Sequence, residues 1–307
     1  MENLDTITDV LQSGFEKLQA KFKTTSLVHL PELQQEILEW KANGFITPSF
    51  FQQNYGEFSF HPPATLPDAQ SIIIIGVHQP MFPVEFFYQG KQYHSILGSN
   101  YVYSQIRLHC QELLSRVLAT KGKTVAHATL PLKLLAVRSG LAQYGKNNIS
   151  YIEGMGSFIR LEAYYTDYEF PVDDWHEKQL MKSCSNCSLC YHACPTHCIP
   201  KERILIHADR CLTHLNENKG EFPGWVNKHS HNALVGCMRC QLACPQNKEY
   251  RQMNAQSLVF TEEETATMLQ NMPWEQVPKS LSEKLLSFDI DEYYPLLGRN
   301  LSVLINK

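Results

Sequence analysis

The sequence predicts a mixed α/β (α+β) protein of two main parts and a tail, on three observations. Apolar residues recur at helical spacing in several stretches, two further stretches carry strand signals, and nine of the ten cysteines fall between Cys184 and Cys244. A chain of 307 residues with 43% hydrophobic content can bury one large core or two modest ones, because single cores seldom grow past roughly 250–300 residues. We therefore expect an α/β domain over residues 1–175, a smaller cysteine-rich domain over 176–250, and a mainly helical extension over 251–307.

Leu4, Ile7, Leu11, Phe15, Leu18 and Phe22 recur every three or four residues and predict an opening helix with one apolar face. A second helix is expected from Pro31 to about Ala42. Pro62, Pro63 and Pro67 then interrupt regular structure, and Ser71 to Val77, with four consecutive isoleucines, reads as a strand covered on both faces. Its mouth, near His78 and Gln79, is a place for a ligand. Tyr103, Ile106, Cys110, Leu113 and Val117 follow helical spacing and put Cys110 on a buried face, where a free thiol packs as a small hydrophobe. From Ser157 to Thr166, Ile159, Leu161, Ala163 and Tyr165 alternate with their neighbours, the period of a half-buried strand.

The N-terminus Met1-Glu2-Asn3-Leu4-Asp5 has neither a basic region followed by an apolar one nor a twin arginine, so a cytoplasmic protein is expected. No apolar run approaches the eighteen or so residues of a membrane span, so no membrane partner is expected. A net charge of −4 excludes a chain-wide attraction to nucleic acid, which depends on Lys and Arg displacing counterions from phosphates.

In a reducing compartment, clustered thiols hold metal more often than they form disulfides. Cys184-x2-Cys187-x2-Cys190-x3-Cys194-Pro195 is the run that wraps a [4Fe-4S] cubane with three thiolates and sends its fourth cysteine to a neighbouring cluster. Cys237-x2-Cys240-x3-Cys244-Pro245 repeats the last three cysteines and the proline, but Leu234 stands where the first would be, and Cys211 is the substitute. The pseudo-symmetry assigns Cys184, Cys187, Cys190 and Cys244 to cluster 1, and Cys194, Cys211, Cys237 and Cys240 to cluster 2. Structural zinc is the competing reading, but zinc sites usually show two separated pairs, often with histidine. Cys198 has no symmetry mate and reads as filler beside the ligands. His192, His197, His207, His214, His229 and His231 surround the cysteines in sequence, and with all eight cluster positions supplied by thiolates they read as supporting or surface groups. His231 and Lys228 are alternatives for facing a substrate.

Three stretches carry a resemblance: Cys184 to Pro195, Asp209-Arg210-Cys211-Leu212, and Gly236 to Asn247. They resemble the epoxyqueuosine reductases, cobalamin-dependent relatives of the reductive dehalogenases. Leu66 to Ile72, Arg138 to Asn147, Gly156-Ser157-Phe158, Thr166-Asp167 and, more faintly, Leu297-Gly298-Arg299-Asn300 extend it. The resemblance implies a nitroreductase-like N-terminal domain followed by a ferredoxin-like two-cluster domain, and a cobalamin beside Arg138, Ser139, Gly140, Leu141, Gly145, Lys146 and Asn147. Gly140 and Gly145 would let backbone approach a macrocycle, or serve only as a turn.

Two departures bear on function. The family's catalytic aspartate is absent in either register, Gln92 or Asn100 standing there, and an amide cannot donate the proton. Tyr101, Tyr103 and His94 are nearby groups that could; the catalytic candidates are Tyr101 and His94, with Asn100 at the aspartate's position. Residues 245–307 hold six Lys or Arg against nine Asp or Glu, a surface that repels phosphates. A small organic substrate is therefore expected rather than tRNA, with electrons from an external low-potential donor of ferredoxin or flavodoxin type. The alternatives are a true tRNA epoxyqueuosine reductase with a replaced proton donor, and a non-catalytic electron-transfer or corrinoid-reducing partner protein.

Overall fold

The computed structural model describes residues 6–307; Leu4, counted above in the opening helix, lies outside them. The chain divides into two compact units that are not laid out along the sequence: residues up to His78 with Gln105–Asn186, and Gln79–Ser104 with Cys187–Lys307.

The first unit is built on a four-stranded sheet in the order Ala20–Ser26, Ser71–His78, Ile159–Thr166, Val125–His127. All these neighbours are antiparallel. Ser71–His78 is buried from Ser71 to Val77, as a run of β-branched residues paired on both sides requires. The opening helix spans Ile7–Lys17, capped by the Thr6 side chain accepting from the Asp9 amide. It ends before Phe22 because Gln19 takes φ +51 and turns the chain into the strand Ala20–Ser26. Phe22, expected on the helix, thus serves the sheet and still packs against Phe15, ring centroids 5.2 Å apart. Helices Leu30–Ala42 and Ser104–Ala119 form where the spacing places them, and Cys110 is buried among Ile73, Ile75, Leu114 and Tyr164.

Ile159–Thr166 departs from the half-buried strand expected, since only Arg160 keeps partial exposure. Its polar residue Glu162 lies in the sheet interior because three bases reach it. Arg107 Nε and His127 Nε2 each stand 3.1 Å from Oε2, and Arg160 Nε stands 2.8 Å from Oε1.

The second unit holds a hairpin, Phe82–Tyr88 with Lys91–Leu97. It is closed by Gln89 and Gly90, both at positive φ, the backbone that suits the twist of a two-residue hairpin turn. Leu258–Phe260 adds a third strand parallel to Val84–Phe86. Residues 251–307 supply this strand and the helices Glu262–Leu269, Lys279–Ser287 and Tyr294–Ile305. A reciprocal capping box between Thr261 and Glu264 starts the first of these helices. Phe82, Phe86, Leu234, Leu258, Leu285 and Leu301 centre the core. No helix among the described residues is long and apolar enough to cross a membrane.

Candidate iron-sulfur site

Residues 187–250 of the second unit are mostly loop with short helical turns, Leu189–Ala193, Leu212–Glu217 and Arg239–Leu242. None of the ten cysteines forms a disulfide. Cys194, Cys198 and Ile199 form a buried nucleus against which Cys190, Ile206, Cys211 and Cys240 pack, so members of both sequence runs meet here.

The surroundings of Cys194 and Cys211 suit thiolates. Cys198 shares hydrogen bonds with Cys194, 3.5 Å away, and with Cys211. Its own thiol is pushed up by those bonds, and they draw Cys194 down to about 5 and Cys211 down to about 6. Backbone amides add to this: Thr196 and Cys198 toward Cys194, Thr213 and His214 toward Cys211. Burial pushes Cys237 up to about 12, against the Arg239 amide. Amides aimed at sulfur are what a cluster's ligands use to spread negative charge, and the residues present fit the group. Cys184 belongs to the first unit, which ends at Asn186, and is buried three residues ahead of Cys187. Leu234, in the place of a further cysteine, is a core residue whose amide donates to the Ile96 carbonyl at 2.9 Å.

Of the catalytic candidates, Tyr101 and Asn100 come together and His94 does not join them. Tyr101 is buried, donates to the Glu217 carboxylate, and receives a hydrogen bond from the Asn100 side chain. His94 is exposed on the hairpin, paired across from Glu85. Tyr103 is held by its amide, which donates to Asp289 at 2.7 Å. His231 is buried and drawn down to about 4 by burial and by Arg299, Lys307 and Arg239, while Lys228 is exposed.

Sequence reasoning missed Glu217 and named Arg299 only within a faint resemblance. Burial pushes Glu217 up to about 7, and nothing in its spacing marks it. Arg299 stacks on Phe222 at 4.1 Å and donates to the carbonyls of Leu215, Asn216, Asn218 and Gly220. It thereby holds the C-terminal end of the Leu212–Glu217 helix, where free carbonyls favour a cation. The Leu297-Gly298-Arg299-Asn300 stretch was the available signal.

In the first unit, the 138–147 loop is closely packed on itself. Arg138 pairs with Glu32 and Glu177 and stacks on Trp175 at 4.7 Å. Ser139 donates to the Ala136 carbonyl, Lys146 to that of Ser185, and Asn147 to the Tyr151 hydroxyl. Gly140 has φ +70, and a Cβ there would meet His176 at 2.7 Å; at Gly145 it would meet Asn147 at 2.5 Å. Both glycines therefore serve the protein's own packing.

Comparison with known proteins agrees with this geometry. Residues 183–247 match the 4Fe-4S double cluster binding domain family. The chain is 26% identical over 234 residues to an epoxyqueuosine reductase of Staphylococcus aureus, covering 71% of this chain and 58% of that protein. It is 27% identical over 286 residues to the Vibrio cholerae enzyme, covering 85% and 74%. A crystal structure of epoxyqueuosine reductase with an epoxyqueuosine-modified tRNA-Tyr stem loop shares the fold at TM-score 0.69 and 19% identity, covering 97% of this chain and 80% of that one. The chain thus spans little more than half of the first relative's length, and in sequence and fold it is similar to the epoxyqueuosine reductases, with a double-cluster domain at residues 183–247.

Proposed function

We propose that this chain is an iron-sulfur reductase that moves single electrons from an external low-potential donor, of ferredoxin or flavodoxin type, through two [4Fe-4S] clusters toward an organic substrate, with a corrinoid expected from the resemblance. Cys184, Cys187, Cys190 and Cys244 would hold cluster 1, and Cys194, Cys211, Cys237 and Cys240 cluster 2. The carrying observation is the nest of thiols and sulfur-directed amides around Cys194, Cys198 and Cys211, within the segment that matches the double-cluster family. Along the sequence we assign the corrinoid and substrate to residues 1–175, electron transfer to 176–250, and support to 251–307.

Cobalamin enters from the resemblance. A bound corrinoid supplies a metal centre that can reach a strongly nucleophilic low-valent state. The polar side chains of the 138–147 loop have protein partners, so this loop does not offer an open cradle, and we route no step through the group.

A second reading, a true tRNA epoxyqueuosine reductase, is favoured by the tRNA stem loop in the solved relative that matches 97% of this chain. The acidic balance of residues 245–307 favours the small substrate instead. One anaerobic experiment tests the core proposal: assay iron and sulfide, then record absorption with and without cobalamin and a strong reductant. About eight irons per chain, the content of two cubanes, with retained corrinoid supports the proposal. The same iron without corrinoid leaves an electron-transfer partner, and zinc in place of iron overturns both. Turnover of a tRNA stem loop carrying epoxyqueuosine then decides the substrate.

A further inference from the structure

The Tyr101–Glu217 pair is tied to the cluster 2 cysteines by two separate stretches of backbone. Glu217 ends the helix Leu212–Glu217, whose N-cap is Cys211; six residues of helix put it roughly 9 Å along the axis from that cysteine. Tyr101 lies at the end of a turn in which its amide bonds the Gly98 carbonyl at 3.2 Å. Its hydroxyl sits against Gly236, at φ +73, the residue before Cys237. Asn216 ties the two stretches together, its amide donating to the Gly236 carbonyl at 2.5 Å.

We propose that Glu217, with Tyr101 as its hydrogen-bond partner, takes up a proton when cluster 2 is reduced and gives it up when the electron leaves. This rests on the two-cluster reading above. One electron from the external donor enters the cluster, and one proton from water forms an O–H bond on the Glu217 carboxylate, so the site's net charge is unchanged. On reoxidation the O–H bond breaks, and proton and electron both depart.

The surroundings suit this role. Tyr101 is 5% exposed, whereas Glu217 is half-buried. Burial pushes the carboxyl up to about 7; the Tyr101 hydrogen bond pulls it down, and the charges of Cys211 and Glu292 push it up. Tyr293, its ring 5.7 Å from that of Tyr101, faces the pair. Arg299 is the nearby cation, but it is spent on backbone carbonyls. An electron on the cluster adds another negative charge, which favours the protonated carboxyl further.

The test is an anaerobic redox titration of the full chain, with the reduced clusters followed by electron paramagnetic resonance from pH 5.5 to 9. Wild type should show one cluster whose midpoint potential falls with pH around neutrality, approaching about 59 mV per pH unit, a tenfold proton ratio in a one-electron couple. Glu217→Gln should make that cluster independent of pH, and Tyr101→Phe should move the sloping window without removing it. Two pH-independent wild-type clusters, or a slope that survives in Glu217→Gln, overturns the proposal. The wild-type arm decides even if a variant fails to fold, and an iron assay on the same sample separates this outcome from failure of the two-cluster reading.

Discussion

The Cys198 sulfur lies 3.5 Å from that of Cys194 and is also hydrogen-bonded with Cys211, so a thiol outside the eightfold set touches two members of it. Cys198→Ala should keep about eight irons per chain. It should also lower the potential of one cluster, because a hydrogen bond to sulfur that favours the more negative reduced state is lost. Iron analysis with a redox titration checks both, and loss of half the iron would make Cys198 a ligand.

Cys211 stands alone in sequence, twenty-six residues before Cys237, yet it packs in the Cys194 and Cys198 nucleus. Cys211→Ala should leave about four irons per chain and one cluster signal, since each cubane needs its four ligands. Retention of both signals would return the fourth ligand of cluster 2 to another residue.

Glu162 is fully buried. Burial pushes its carboxyl up, but His127, Arg160 and Arg107 outweigh that and hold it down at about 2. Its unfolded value is about 4.3. A carboxylate depressed on folding contributes stability that is present above the unfolded value and lost as pH falls through the folded one. The loss should therefore run from about pH 4 to about pH 2. Glu162→Gln should lack that pH dependence and lose about 1.5–3 kcal/mol at neutral pH, because it removes charge-assisted hydrogen bonds at a buried carboxylate whose basic partners stay partly exposed. Urea unfolding by circular dichroism across this range reads both effects.

Gly236 combines φ +73 with a Cβ position occupied by the Tyr101 hydroxyl. Gly236→Ala should cost at least about 1–2 kcal/mol from the left-handed backbone, and should also displace Tyr101 beside Cys237. We expect faster loss of half the iron under a chelator, with the other half released as in wild type.

The long apolar signals were legible in the sequence. Ser71–His78 and Ser104–Ala119 announce themselves because their burial follows from local composition, and the cysteine spacing marks its segment because cluster chemistry fixes the intervals. Ala20–Ser26 was hidden: Lys21 and Lys23 break its apolar pattern, and the break depends on one left-handed residue, Gln19. The hairpin had a signal in Gln89-Gly90 between aromatic stretches that went unread. Glu217 had none, since its burial depends on Tyr101, more than a hundred residues earlier. Of the catalytic candidates, His94 lies seven residues before Tyr101 in sequence but sits at an exposed strand position.

The parallel pairing of Val84–Phe86 with Leu258–Phe260 bears on how the protein is made. Closing so long a loop must precede any gain from the contact, which slows folding. A ribosome that has released residues 1–250 has delivered every cysteine, but not the strand and helices that complete the core around Phe82, Leu234 and Leu258. During synthesis the thiols are therefore exposed before their scaffold exists, and iron-sulfur loading of the second unit belongs after release of the C-terminal helix Tyr294–Ile305, whose Arg299 fixes the helix that follows Cys211.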